Sequence, residues 1–195
     1  MGNIKAFKNA FKDLNIKTRV ISKNDDICKQ ITHIILPGVG SFDSAISKLN
    51  QSGLKKSLFD YILNYEIPVL GVCVGMQIMA ESSEEGQLQG LNWVPGKVLR
   101  FKSDNELPIN IPHMGWNSII FTKESPLFSG IKEPYFYFLH SYYFSPEKEE
   151  ITIGKTISGK EFTSVFKYKN FYGTQFHPEK SHQNGIQLLK NFALI

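Results

Sequence analysis

Apolar residues recur at Ile4, Phe7, Phe11 and Leu14, with Lys5, Lys8, Lys12 and Asp13 between them. This spacing of three to four predicts an amphipathic helix over residues 3–15. The period then shortens. Residues 18–22 (TRVIS) read as a strand, and residues 33–37 (HIILP) as a buried parallel strand stopped by Pro-Gly. Residues 43–50 and 54–65 return to helical spacing, 67–72 (IPVLGV) is a second buried strand, and 76–82 is expected to be helical. From residue 97 the pattern turns mostly to strands, at 97–101, 117–121, 134–144, 151–157, 162–168 and 171–176. A last helix over 185–194 directs Ile186, Leu189 and Phe192 inward.

Alternating strand and helix in the first half implies parallel strands with right-handed crossovers. The second half is expected to add antiparallel hairpins to the same sheet. The result is one α/β domain over 1–195, a mostly parallel central sheet with flanking helices. Such a domain usually opens on a strand, and this chain opens on a helix.

Composition narrows the picture. At 195 residues and 42% apolar, the chain can close one full core. The net charge of +4 comes from scattered Lys and Arg without interleaved aromatics, which argues against nucleic acid. The longest apolar stretch, 67–80, is too short for a bilayer span and contains Gln77, so no membrane is implied. No signal peptide is read at the start. Two cysteines, Cys28 and Cys73, make no disulfide framework. The expectation is a cytoplasmic protein with free thiols, no metal and no cofactor.

Candidate chemistry begins where strand 67–72 runs into Gly71-Val72-Cys73-Val74-Gly75. A strand entering G-x-C-x-G and then a helix has the form of a nucleophile elbow, where glycines let the chain turn sharply. The turn exposes the thiol at the carboxyl end of the sheet. A following helix N-terminus would favour thiolate, and the Val74 N–H would sit where an oxyanion forms. Taken alone, Cys73 also fits a small buried apolar residue, and Cys28, in DDICKQI without glycine neighbours, fits that far better than a reactive role. His177 ends a strand, with Pro178 next and Glu179 two residues on; it can supply a base and Glu179 can orient it. The loop Gly38-Val39-Gly40 can bare backbone N–H groups for an oxyanion, or be a plain tight turn.

Together, GVCVGMQ, PGVGSFDSA, PHMGWN, FLHSYYF and GTQFHPEKS resemble the class I glutamine amidotransferase family over essentially the whole chain. PHMGWN narrows the resemblance to the branch serving as the glutaminase subunit of imidazole glycerol phosphate synthase. The resemblance implies that Cys73 attacks glutamine, His177 moves the proton and Glu179 orients His177. It places the oxyanion at Val74 and the 38–40 loop. Glutamine would be bound by Gln77, Glu85 and the segment His140, Ser141 and Tyr142. It further implies a heterodimer, in which ammonia passes to a (β/α)₈ cyclase docked on His113, Met114, Trp116 and Asn117. A flexible Gly-Val-Gly loop leads us to expect slow hydrolysis without that partner.

Two departures stand out. Only MGN remains of the family's opening strand and Gly-x-Gly-Asn loop, so a central strand is expected to be missing. Val74 replaces a commoner leucine, but only its backbone is used. A paralogue supplying ammonia for amidination of a surface sugar would share the same chemistry, and FLHSYYF and SHQNGIQLLKNFA are somewhat closer to it, so that reading stays open beside the first. Two other readings fit less of the chain: a non-catalytic docking subunit and a peptide-cleaving cysteine hydrolase.

Overall fold

A computed structural model describes residues 3–102 and 110–195. Met1 and Gly2, in the MGN remnant, lie outside the described residues. Helix α1 (Ile4–Asp13) is capped by the Asn3 side chain, which accepts from the Ala6 N–H, and it buries Phe7, Ala10 and Phe11. Helix α2 (Phe42–Gln51) is capped in the same way by Ser41, and α3 (Leu54–Tyr65) covers the sheet through Leu54, Leu58 and Ile62. Among the described residues no helix is long and apolar enough to cross a membrane.

The central sheet has six strands. Strands β1 (Ile34–Gly38) and β2 (Val69–Cys73) run parallel. Two short strands follow, β3 (Ser82–Ser83) and β4 (Gly96–Arg100), then β5 (His113–Ser118) and β6 (Ile120–Phe121). The remaining strands are β7 (Tyr135–His140), β8 (Tyr142–Pro146), β9 (Thr152–Ser158), β10 (Lys160–Tyr168) and β11 (Phe171–Thr174). The order in the large sheet is β1-β2-β11-β10-β9-β6, and β11 is parallel to β2 but antiparallel to β10. Every residue of β2 is buried, because it lies mid-sheet with helices against it. The last helix, α5 (His182–Phe192), packs Leu188, Leu189 and Phe192 inward.

The structure departs from the sequence reading in three places. Residues 18–22 join no ladder, and Val20 is 43% exposed. A strand exists only with a partner, and among the described residues β1 pairs with β2 alone. The run 134–144 is two strands in different sheets. Its first half, β7, pairs with β5 and its second half, β8, with β4. The hairpins of the second half therefore do not all join the central sheet. The helix after the cysteine, α4 (Val74–Gln77), is one turn of four residues instead of the expected 76–82. It stops because the N–H groups of Met79 and Ala80 bond only three residues back, to Met76 and Gln77, and that of Glu81 leaves for the Gly96 carbonyl; beyond it the carbonyls of Ile78, Met79 and Ala80 accept from Leu91, Trp93, Val94 and Asn92.

Candidate active site

Cys73 sits at the junction of β2 and α4 with φ 54° and ψ −114°. A side chain at positive φ carries strain of about 1–3 kcal/mol, kept only where the surroundings impose it. Here they do. A Cβ on Gly75 would lie 1.7 Å from the Leu36 carbonyl oxygen, and a Cβ on Gly38 would lie 2.2 Å from the Gly75 nitrogen. The elbow and the end of β1 are pressed backbone to backbone, which aims the loop after Gly38 at the cysteine. We expect Gly75→Ala to destabilise the fold by about 3 kcal/mol, since backbone must move to admit the methyl. Urea denaturation measures this, and a loss under about 1 kcal/mol would show the approach to be loose.

His177 arrives from the other side. Its N–H donates to the Tyr137 carbonyl at 2.9 Å, and Phe176 before it is wholly buried against Phe136 and Phe138. Residues Pro178–Lys180 form a short 3₁₀ turn that swings Glu179 back under the ring. The ring's Nδ1–H donates to Glu179 Oε1 at 3.0 Å, and both side chains are almost fully buried. Burial pushes His177 down, but hydrogen bonds and negative charge from Cys73 and Glu179 outweigh it and raise its pKa to about 9.

A cavity of about 290 Å³ opens between these groups. Cys73, Val74, His177, Val39, Gly40, Gln77, Glu85, His140, Ser141 and Tyr142 all line it. The structure thus brings together the expected nucleophile, base, oxyanion groups and substrate-binding residues. Gly38 stays behind as the point of close approach, and Glu179 lies beneath His177. Cys28 is not part of the lining. With only one turn in α4, the helix-dipole argument for the thiolate reduces to a few N–H groups.

Gln77 has both amide hydrogens engaged, to the Tyr142 carbonyl at 3.0 Å and to Gln175 Oε1 at 3.1 Å. Its own Oε1 is left as an acceptor. Glu85 Oε2 accepts from the Phe42 N–H at 2.7 Å, fastening the start of α2 beside the loop at 38–40. His140 Nδ1–H donates to the Tyr142 carbonyl at 2.8 Å, so the neutral ring presents a bare Nε2 to His113 Nδ1–H at 3.0 Å. Burial, aided by repulsion from His113 and His177, pushes the His140 pKa down to about 3. His140 therefore stays neutral, and burial pushes His113 down as well. His177 is the histidine suited to carry a proton here.

The proposed docking residues divide by strand alternation. PHMGWN is mostly strand β5, which begins at His113, ahead of the strand expected over 117–121. Met114 and Trp116 point to solvent, 65% and 37% exposed. His113 points inward and is buried against His140, which corrects its expected surface role. Asn117 shares the inner face and donates to the Ile157 carbonyl at 2.9 Å. Three cavity residues escaped the sequence reading: Pro112, Leu139 and Lys180. Gln175, fully buried, reaches Cys73 from behind. A polar residue between Gly173-Thr174 and Phe176 in an otherwise apolar strand end was its one sequence signal.

A family model described as glutamine amidotransferase class-I matches residues 1–195. The chain belongs to this family. Among curated relatives, the imidazole glycerol phosphate synthase subunit HisH of Leptospira borgpetersenii is 48% identical, over 99% of this chain and 95% of its own. The protein of the same name from Bdellovibrio bacteriovorus is 46% identical, over 100% and 96%. Among solved structures, a glutamine amidotransferase superposes with TM-score 0.76 at 16% identity, covering 99% of this chain and 93% of its own. The glutaminase domain of Trypanosoma brucei CTPS with bound acivicin gives TM-score 0.64 at 16% identity, covering 98% and 86%. These structures establish the class I glutamine amidotransferase fold, a mixed α/β domain with a central sheet and flanking helices.

Proposed function

We propose that this amidotransferase is the glutaminase subunit of an imidazole glycerol phosphate synthase, releasing ammonia from glutamine for a (β/α)₈ cyclase partner in histidine biosynthesis. The observation that carries the chemistry is one cavity faced by a strained Cys73 and by a His177 that Glu179 holds in place. The choice of pathway is supported by the names of full-length relatives at 38–48% identity. The same names favour histidine biosynthesis over sugar amidination.

In this reading the Cys73 thiol gives its proton to His177 and the sulfur attacks the side-chain amide carbon of glutamine. The Val74 N–H and an N–H of the loop at 38–40 hold the oxyanion. The imidazolium returns the proton to the departing nitrogen, ammonia leaves, and a glutamyl thioester remains. His177 then deprotonates water, which attacks the thioester and frees glutamate and the thiol. Gln77 Oε1 and the second oxygen of Glu85 are the acceptors for the substrate ammonium.

Trp116 stacks on Tyr135 and His182, and with Met114 and Leu139 it forms an exposed apolar face. Leu139 also lines the cavity, so a partner docked on this face would sit at its mouth. Trp116→Ala is expected to weaken partner binding about 30-fold or more, the usual effect of losing a central aromatic anchor, without altering basal hydrolysis. Calorimetric titration with the cyclase measures it, and unchanged affinity would move the interface elsewhere.

The whole reading is tested by mixing the chain with the cyclase and its nucleotide substrate. Glutamine should then replace free ammonia as nitrogen donor. A cyclase that turns over with ammonia but gains nothing from this chain plus glutamine overturns the reading.

A further inference from the structure

We infer that Gln175 is a further functional residue of this site: its side-chain amide donates a hydrogen bond to the Cys73 sulfur and so holds and stabilises the thiolate. The inference rests on the proposed role of Cys73 as nucleophile, and it adds a group outside the cysteine, histidine and glutamate.

The direction of this bond follows from the network behind it. The Tyr142 carbonyl can only accept, so the end of Gln77 that faces it at 3.0 Å is its nitrogen. The second hydrogen of that nitrogen reaches Gln175, which must answer with oxygen, at 3.1 Å. Gln175 therefore has its NH₂ at the opposite end, 3.8 Å from Cys73 Sγ. Turning the amide over would set two NH₂ groups against each other and an oxygen against the sulfur's lone pairs. A single backbone carbonyl thus fixes, through two amides, which atom meets the nucleophile.

The backbone supports the same geometry. Gln175 is wholly buried, and its N–H donates to the Ser164 carbonyl at 2.9 Å. It lies two residues before His177, in the bend that follows the end of β11 at Thr174. The thiol's own hydrogen is directed to the Leu139 carbonyl at 3.8 Å. When that proton moves to His177, the bond to Leu139 ends and the Gln175 N–H stays. A donor to a charged acceptor gains strength at that moment, so the contact favours the ionised sulfur over the neutral one.

The test uses the full chain with Cys28→Ser, so that iodoacetamide reports on Cys73 alone and neither glutamine nor partner is needed. Gln175→Met keeps the volume and removes the donor. Its alkylation rate at neutral pH should fall about 10–100-fold, the worth of a hydrogen bond to a charged group. Its rate–pH profile should move about one unit or more to higher pH, and Gln175→Glu should move it farther. A profile that does not move in a folded Gln175→Met chain overturns the inference. Should that variant fail to fold, the wild-type chain still decides. The Gln175 side-chain NH₂ resonance should shift across the pH range in which alkylation accelerates, and stay fixed in Cys73→Ala. A resonance indifferent to pH in the wild type refutes the contact. Loss of glutamine hydrolysis in the intact chain, by contrast, would overturn the proposed function and leave these readouts as they are.

Discussion

Cys73→Ala is expected to abolish ammonia release from glutamine while leaving a folded chain that still binds its cyclase partner. Alanine can occupy the strained elbow at the same cost as cysteine, since both carry one Cβ. The missing sulfur opens onto an existing cavity, so little packing is lost. What disappears is the atom proposed to form the thioester. Without it, His177 could only activate water from a position set for a thiol, and a loss of at least about 10⁴-fold in kcat is expected. Cys73→Ser should be nearly as inactive, because a hydroxyl in this geometry stays protonated. Glutamate release measured with the partner present, beside a calorimetric binding curve, separates the outcomes. Retention of more than a few percent of the rate would remove Cys73 from the chemistry. Equal inactivity of wild type and Cys73→Ala would make the chain a docking subunit only.

The elbow was legible in the sequence because its requirement is local. Only glycine admits the backbone approaches at positions 38 and 75, and the cysteine stands between glycines in the written order. The helices α1, α2 and α3 were legible for a similar reason, as the periodicity, and for α1 and α2 the capping side chain, lies within or beside each segment. Features that depend on a remote partner were not. Residues 18–22 have strand-like composition, but a ladder needs a neighbour that periodicity cannot supply. The single turn of α4 ends because the Glu81 N–H goes to the remote Gly96 carbonyl, and residues 91–94 take the carbonyls of 78–80 that a helix to residue 82 and beyond would have used. The split of 134–144 at Ser141 reflects pairing with two different strands, β5 and β4, at either end of one apolar run. Alternation would have placed His113 inside and Met114 outside, had PHMGWN been read as strand. Its proline and glycine concealed that.

The pairing of His177 with Glu179 has consequences that a pH profile can read. The imidazole is pushed down by burial, yet its hydrogen bonds and opposite charges hold its pKa at about 9. Proton donation to the departing ammonia needs the imidazolium, so kcat should hold through neutral pH and fall as pH rises through about 9. Stability follows the same sign. A folded pKa above the unfolded 6.5 contributes stability that is complete below 6.5 and is lost as pH rises through about 9. Glu179→Gln keeps an acceptor for Nδ1–H and removes the negative charge. It also puts an amide NH₂ where Glu179 Oε2 is buried with no hydrogen-bond partner among the described residues. The His177 pKa should therefore drop, and the alkaline limb should move to lower pH. The loss in kcat is expected to approach about 10⁴-fold, the effect of turning a triad carboxylate into an amide. The melting temperature of the variant should be lower at pH 6.5 but decline less between pH 7 and 9.5 than that of the wild type. Coincident alkaline limbs in the two proteins would mean that Glu179 does not act on His177 through its charge, and its role would reduce to holding the 3₁₀ turn at Pro178–Lys180 in place.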